Sequence, residues 1–527
     1  MKSGWKHVTI LAVVLAGPAF CPSAATPAHG LPESALVIVV GNTYAGVVAD
    51  NGFAVGDGTL VVTCDHAVFE KSRSGRHRAP MLVSVFSPWL GEACGARVLM
   101  SDEERDLAVL EVPWPGHPAL SLADANAIAA AQSARVASYY SVIRRIEDWD
   151  SPGSDTEVFQ VDEERLPVAF VGVRKQEPQF VVLDGVGRLG PGWSGAPFLV
   201  PDTDTVIGCF AAISGTGRGS RTLRKEAKGA AVHHVVRALA DRVAPGRLCR
   251  APEPLESPRD AHEACSLALR ALSSVRPGRY AAAVEPAQAF LKLRPNRPFG
   301  YRVLAKAHEE LGHKGAARES YQRALELEPN SLDIQLYYAQ FLGETGEPNE
   351  ARRLLEPLWE SDRSRAPVAI ALVSLFGAQK DFSRCLEILE EAIKIHPRNA
   401  YLWQQIAACR MQLQGPSAAI EPTTRLVELL PERGPARGSL ARLLEMTGAF
   451  DEAEKHFRKL PEIEPENPVV YFWLADFLSR HRPQAEEEAL KIAEKALSLP
   501  AGAGLPRERI EEVIQRIRAR TQPTVQE

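Results

Sequence analysis

The chain has 527 residues, of which 45% are apolar and 24% are charged, and its formal net charge at pH 7 is -5. A single hydrophobic core stops growing at roughly 250–300 residues, so two or more domains are expected. The composition excludes a collagen-like or disordered chain. The weakly negative charge, without a long basic run, excludes an electrostatic surface for nucleic acid, and no nucleic-acid partner is predicted.

The N-terminus has the order of a secretory signal peptide over residues 1–25. A basic start precedes the apolar run Val8 to Ala16, and the small residues Ser23 to Ala25 mark the expected cleavage site. The run is shorter than the ~20 residues that cross a bilayer, which disfavours an uncleaved anchor. Lipidation of Cys21 is disfavoured by the bulky Phe20 before it. We therefore expect an exported protein, periplasmic or secreted, with no membrane span after cleavage.

Residues 31–248 are predicted to form an all-β domain. Short β-branched runs punctuated by Gly, Pro, Asp and Asn are typical of a barrel or sandwich. A stretch of helical periodicity at 232–243 would close this domain. The β-branched runs lie at 36–40, 59–63, 180–183 and 206–210.

The second half of the chain repeats every 34 residues. The Pro- and charge-rich segment 249–261 is interpreted as a linker. Beyond it a proline recurs at the same repeat position, and Arg363 fills the missing step of the series. Small residues such as Ala305, Ala317 and Ala324 would let paired helices approach closely. The period predicts about seven tetratricopeptide repeats over 262–500, and 501–527 supply a capping helix and tail. The recurring prolines are Pro295, Pro329, Pro397, Pro431 and Pro465.

Three segments of the β-rich half carry groups suited to nucleophilic catalysis. His66 follows a strand-like run, Asp106 directly precedes another, and Ser194 lies in Gly192-Trp193-Ser194-Gly195. A serine hydroxyl needs an imidazole to take its proton, and a carboxylate to hold that imidazole in one tautomer. Glycines beside the serine allow a tight turn that directs backbone N–H groups at a developing oxyanion. Each segment is weak evidence alone, and their joint occurrence is specific.

The order His, Asp, Ser, with separations of 40 and 88 residues, resembles the trypsin/chymotrypsin-like serine proteases. Residues 35–240 look closest to the bacterial Deg/HtrA-type peptidases and the short trypsin-like peptidase domains. The resemblance implies a double β-barrel in front of the all-α repeat solenoid. It implies His66 as general base, Asp106 as its orienting group and Ser194 as nucleophile, with the oxyanion hole formed by the backbone N–H groups of Gly192 and Ser194.

The resemblance also implies a specificity pocket beside the strand 206–213. Ala212 and Ile213 on this strand would favour a shallow apolar pocket. Trp193 stands where the family commonly has Asp or Asn, and Ala196 stands where a third glycine is usual. These two departures affect substrate preference and loop geometry rather than the mechanism.

The function predicted is that of a serine endopeptidase whose repeats recruit protein or peptide ligands. The alternative is a catalytically inactive protease-like domain in a binding scaffold built on the repeats. An esterase of the α/β-hydrolase type is disfavoured, because that fold places the serine before the acid and the histidine. No Cys/His spacing for a metal occurs, so neither a metal nor another cofactor is predicted.

Overall fold

The computed structural model describes residues 32–43, 46–71, 76–139, 162–171, 180–184, 193–216, 224–239, 242–248, 255–500 and 505–521. The predicted signal peptide lies outside these ranges. The chain divides into two compact units. The first consists of the residues up to Val68 together with Leu82–Ser331, and the second consists of Phe69–Met81 together with Leu332–Glu527.

The first unit begins with a closed six-stranded barrel in the order β1-β2-β3-β8-β7-β6. Its strands are rich in valine, isoleucine and leucine, which pack well on a pleated surface. The inward-facing side chains of Ile38, Phe53 and Val62 are fully buried. The strands of this half are β1 Leu36–Thr43, β2 Gly46–Val55, β3 Leu60–Thr63, β4 Phe69–Lys71, β5 Arg78–Pro80, β6 Leu82–Ser87, β7 Glu92–Asp102 and β8 Leu107–Glu111.

A second sheet of seven strands follows in the same unit, in the order β13-β10-β11-β12-β15-β14-β9. Strand β13 pairs with both β10 and β14, so six of the strands close a second ring, and β9 adds to β14 in parallel. The predicted double β-barrel is therefore confirmed. The strands are β9 Ser121–Leu122, β10 Ser133–Ser138, β11 Asp162–Val171, β12 Phe180–Asp184, β13 Pro197–Leu199, β14 Thr205–Thr216 and β15 Arg224–Ala231.

Short helices connect and close the barrels. The helix predicted at the end of the β-rich half is present and is shorter than its periodicity indicated. In the part of the chain that the structure describes, no helix has the length and apolarity needed to cross a membrane. The α-helices are Ala125–Ala130 and His233–Leu239, and the 3-10 turns are Pro32–Ala35, Asp65–Ala67, Pro245–Leu248 and, further along the chain, Pro483–Ala485.

The helical region follows the predicted period, and the expected tetratricopeptide solenoid is confirmed. The first helices of six successive pairs begin at residues 298, 332, 366, 400, 434 and 468, which are 34 residues apart. Ala305, Ala317 and Ala324 are fully buried, as close helix packing requires. The helices are Ala261–Ser273, Tyr280–Leu293, Pro298–Glu310, Lys314–Leu327, Leu332–Glu344, Pro348–Ser361, Ala366–Ala378, Phe382–Ile395, Ala400–Gln414, Pro416–Leu429, Gly434–Met446, Phe450–Ile463, Pro468–His481, Glu486–Ser498 and Arg507–Thr521.

The first three repeat helices share one hydrophobic core with the barrels. The Phe86 ring on β6 meets the Phe299 ring edge to face, with centroids 5.2 Å apart. Glu92 on β7 forms an ion pair with Arg297, in which Nε of Arg297 lies 2.5 Å from Oε2 of Glu92. Apolar burial of this kind stabilises the unit more than the partly exposed ion pair does. The repeats therefore begin inside the same compact unit as the barrels, which the composition of the predicted linker did not indicate.

The second unit contains the two-stranded hairpin β4–β5 as well as repeat helices. The Tyr401 hydroxyl on the helix Ala400–Gln414 donates to Glu70 at 2.7 Å, and the Arg78 amide donates to the Arg398 carbonyl at 3.0 Å. The backbone N–H of Ala400 donates to Nδ1 of His77 at 3.1 Å. A two-stranded hairpin is marginally stable alone, so these contacts hold it on the helical repeats.

The His77 contact predicts a pH-dependent hairpin. Burial lowers the pKa of His77 and the charges on Arg398 and Arg433 reinforce this, whereas the charge on Glu70 and a 3.2 Å contact of Nδ1 with the Arg398 carbonyl oppose it. Because the folded pKa lies below the unfolded one, the stabilisation is present above about pH 6.5 and is lost as the pH falls. Protonation also removes the acceptor for Ala400. We expect the hairpin amides to exchange faster at about pH 5 than at about pH 7.5, after correction for intrinsic rates.

The matched control is His77→Asn, because the Asn Oδ1 can replace Nδ1 as an acceptor and does not titrate. Hydrogen exchange read by mass spectrometry should find the pH-dependent part of the hairpin opening absent in this variant. Equal pH dependence in both proteins would show that another group controls the opening.

Candidate active site

His66 and Asp106 are brought together by the pairing of two neighbouring strands. His66 lies in the 3-10 turn after β3, Asp106 directly precedes β8, and β3 pairs with β8 through Thr63 and Ala108. Nδ1 of His66 lies 2.7 Å from Oδ2 of Asp106, and the His66 backbone N–H donates to Oδ1 at 3.1 Å. Asp106 holds a left-handed backbone with φ of 54°. The two bonds fix the ring plane and leave Nε2 directed away from Asp106.

Ser194 lies in a turn that only a glycine can continue. Gly195 has φ of 78°, and a Cβ there would lie 1.9 Å from the Asn51 carbonyl oxygen. Any larger residue would displace the β2 backbone. The Gly195 amide donates to the Phe210 carbonyl at 2.9 Å, which ties the turn to β14. The second barrel thus carries the turn, and the first barrel packs directly against it.

Asn51 on β2 clamps the carbonyl of Ser194. Its backbone N–H donates to that oxygen at 2.8 Å and its side-chain Nδ2 donates at 3.2 Å. Its Oδ1 accepts from the Tyr139 amide at 2.9 Å and from the Ser138 hydroxyl at 3.2 Å. Because these partners belong to the second barrel, one buried amide side chain sets the orientation of the Ser194 turn across both barrels.

Asp50, the residue before Asn51, faces the other side of the His66 ring. Its side chain is only 6% exposed, and its Oδ2 lies 3.6 Å from Nε2 of His66. The Asp50 carboxyl group also interacts with the Ser194 side chain. His66 therefore has an acidic residue at each ring nitrogen.

The electrostatics of the site favour retention of a proton. Burial raises the pKa of Asp50, although interactions with His66 and Ser194 oppose the rise. Burial acts to lower the pKa of His66, but hydrogen bonds and charge interactions with Asp106 and Asp50 outweigh it and raise the pKa to about 10. An imidazole that is already protonated cannot accept the proton of a serine hydroxyl.

Cys64 lies beside the pair, and its thiol is neutral. Burial and the neighbouring Cys209 raise the pKa of Cys64 well above its ordinary value. Its Sγ donates to the Phe210 carbonyl at 2.9 Å. Cys64, His66 and Asp106 offer ligand atoms within 4.8 Å of one another. Nδ1 of His66 is bonded to Asp106, which is the arrangement of a proton-transfer pair.

The remaining predicted site residues are only partly described. Gly192 lies outside the described residues, so the oxyanion hole of the Gly192 and Ser194 amides stays a prediction. Ala212 and Ile213 lie on β14, where they pair with Lys228 and Ala227. The apolar specificity pocket also stays a prediction, because the side chains of both residues are outside the described part.

Asp50 and Asn51 were missed by the sequence analysis. One pattern could have indicated them: two polar residues interrupt the otherwise apolar stretch Val47 to Val55. A polar pair inside a strand signals burial against a polar partner. The partner, the Ser194 turn, lies 143 residues further along the chain.

With the fold and the site described, comparison with known proteins finds two families that match parts of this chain. Residues 50–208 match the family described as trypsin-like peptidase domain. Residues 310–375 match the family described as tetratricopeptide repeat. The chain thus combines a trypsin-like peptidase domain with tetratricopeptide repeats.

Individual relatives resemble parts of the chain. Human protein O-mannosyl-transferase TMTC1 is 24% identical over 171 residues, which cover 32% of this chain and 19% of that protein. The chain thus spans about a fifth of the length of this relative. PilF of Pseudomonas aeruginosa is 17% identical with a TM-score of 0.33, and covers 42% of this chain and 97% of its own. YrrB, described as a TPR protein with an unusual peptide-binding site, is 19% identical with a TM-score of 0.31, covering 39% and 100%.

The Asn51 clamp predicts a specific defect in Asn51→Leu. This change keeps the side-chain size and removes both hydrogen-bonding groups, which leaves the buried Tyr139 amide without its acceptor. The expected cost is about 1–3 kcal/mol of stability of the first unit, read from its thermal unfolding. The exposed Asn330→Leu, in the same unit, serves as the control and should change stability by less than about 0.5 kcal/mol. If Asn51→Leu and Asn330→Leu lower the stability of the unit equally, the Asn51 side chain does not hold the Ser194 turn.

Proposed function

We propose that the protein is a serine endopeptidase that hydrolyses peptide bonds through His66, Asp106 and Ser194. The observation that carries the proposal is the short Nδ1 contact of His66 with Asp106, together with a Ser194 turn held against the same barrel. A carboxylate bonded to Nδ1 holds an imidazole in the tautomer that can take a proton at Nε2. The trypsin-like peptidase family match over residues 50–208 supports the same reading.

The proposed reaction has two halves. The Ser194 oxygen attacks the carbonyl carbon of the peptide while Nε2 of His66 takes its proton. The backbone N–H groups of Gly192 and Ser194 stabilise the oxyanion. The C–N bond then breaks as Nε2 returns the proton to the leaving amine, and an acyl-enzyme remains. Water repeats the sequence and releases the acid, with Asp106 stabilising the imidazolium in both halves.

The repeats are proposed to recruit protein or peptide substrates or regulators, since tetratricopeptide arrays present concave binding surfaces and have no chemistry of their own. Export to the periplasm or the extracellular space is proposed from the N-terminal sequence alone. The rival function is a binding scaffold with an inactive barrel. The presence of all three side chains in one region weighs against it.

Substitution of the triad distinguishes the two functions. A fluorophosphonate probe should label the folded protein, and Ser194→Ala should abolish labelling. Asp106→Asn should slow it by up to about 10⁴-fold, because the wrong His66 tautomer is then favoured. Ser133→Ala, on β10 and away from the site, should label like the parent protein. Absence of labelling of the folded parent at every pH would favour the scaffold.

The peptide bonds that the protein cleaves can be identified by comparing the parent protein with Ser194→Ala. Incubation of a proteome with the parent protein or with Ser194→Ala, followed by mapping of new N-termini, should yield cuts that depend on Ser194. If the pocket beside Ala212 and Ile213 is shallow and apolar, small or apolar residues should precede the cut. Charged residues enriched at that position would contradict the predicted pocket.

A further inference from the structure

We propose that Asp50 keeps the site latent: its carboxylate holds a proton on Nε2 of His66 and engages the Ser194 side chain, so that the resting pair cannot react. This inference rests on the proposed serine endopeptidase function and adds a residue that controls its general base. Asp50 is a positioning residue, since it acts through His66 and Ser194.

The geometry places Asp50 where the reaction needs free space. The proton of Ser194 must pass to Nε2, yet Oδ2 of Asp50 already lies 3.6 Å from that nitrogen. The same carboxyl group interacts with the Ser194 side chain. Both groups that must exchange a proton therefore share a competing acidic partner. A neutral residue in this place would leave Nε2 open to the hydroxyl.

The charged groups around the His66 ring also favour its protonated form. Asp106 faces Nδ1 from the start of β8, Asp50 faces Nε2 from β2, and Ser194 approaches from the turn before β13. Cys64, in the adjoining loop, is neutral. Asp106 and Asp50 therefore place a carboxyl group at each nitrogen of a ring that can carry one positive charge. The pKa of His66 near 10 agrees with this balance.

Relief of the latent state requires the Asp50 charge to be removed or moved. Asp50 is held in β2 by pairing with Val39 of β1, so rotation of its side chain would be easier than movement of the strand. Loss of the charge at Nε2 destabilises the imidazolium and lowers the pKa of His66. More of the neutral base is then present at neutral pH, and Ser194 should react faster.

The test compares Asp50→Asn with the parent protein over a range of pH. Asn is nearly isosteric with Asp and cannot carry the charge. Two readouts are measured: the rate of labelling by a fluorophosphonate, and the titration of His66 followed by NMR of ¹⁵N-labelled histidine. The His66 signal is identified by its loss in His66→Gln. The control is Asp124→Asn, which removes one negative charge from the same unit and retains a residue able to cap the helix Ala125–Ala130.

We expect both midpoints to fall by about one pH unit or more in Asp50→Asn, with labelling near neutral pH faster by about ten-fold or more. The control should titrate and react like the parent protein. A purely structural role for Asp50 would change thermal stability and leave both midpoints in place, which would overturn the inference. If Asp50→Asn does not fold, Asp50→Ser gives the same reading, since it also removes the charge.

The two readouts separate this inference from the proposed function. If the His66 titration moves but no variant is labelled at any pH, Asp50 controls the ring and the endopeptidase function fails. If the parent protein is labelled and Asp50→Asn gives the same midpoints, the endopeptidase function stands and the latency inference fails.

Discussion

The contact between Gly195 and the backbone of β2 is the constraint on which the site depends. The Asn51 carbonyl occupies the space that a side chain at position 195 would need, so the turn and the strand fit only with glycine there. The Asn51 amide groups then hold the Ser194 carbonyl from the same strand. Because the turn belongs to one barrel and β2 to the other, this contact determines where the serine lies relative to the histidine.

Two acidic residues contact His66 at different ring nitrogens, and both raise its pKa. Asp106 bonds to Nδ1 and the backbone N–H of the same residue, which orients the ring and leaves Nε2 for chemistry. Asp50 lies at Nε2 itself and favours the protonated ring. The two residues differ in position: Asp106 faces the nitrogen that keeps its proton, whereas Asp50 faces the nitrogen that must exchange one with the serine. Reactivity would depend on how long Asp50 stays at Nε2.

The peptidase domain and the repeats are joined by more than a connecting segment. In the first unit, aromatic side chains of β6 and of the second helix pair share one core. In the second unit, a hairpin that starts three residues after His66 is held on repeat helices by Tyr401 and His77. Both arrangements bury surface that an isolated barrel or an isolated repeat would leave exposed to water.

The sequence by itself determined the features that rest on local patterns. Alternating apolar runs predicted the strands, and the 34-residue period predicted where successive helices begin. The His66, Asp106 and Ser194 segments were recognisable because each has its own residue pattern. Only the tertiary structure decided the positions of Asp50 and Asn51 in the site, the core shared with the first repeats and the docking of the hairpin. These depend on contacts between residues far apart in the chain, and periodicity and spacing carry no information about such contacts.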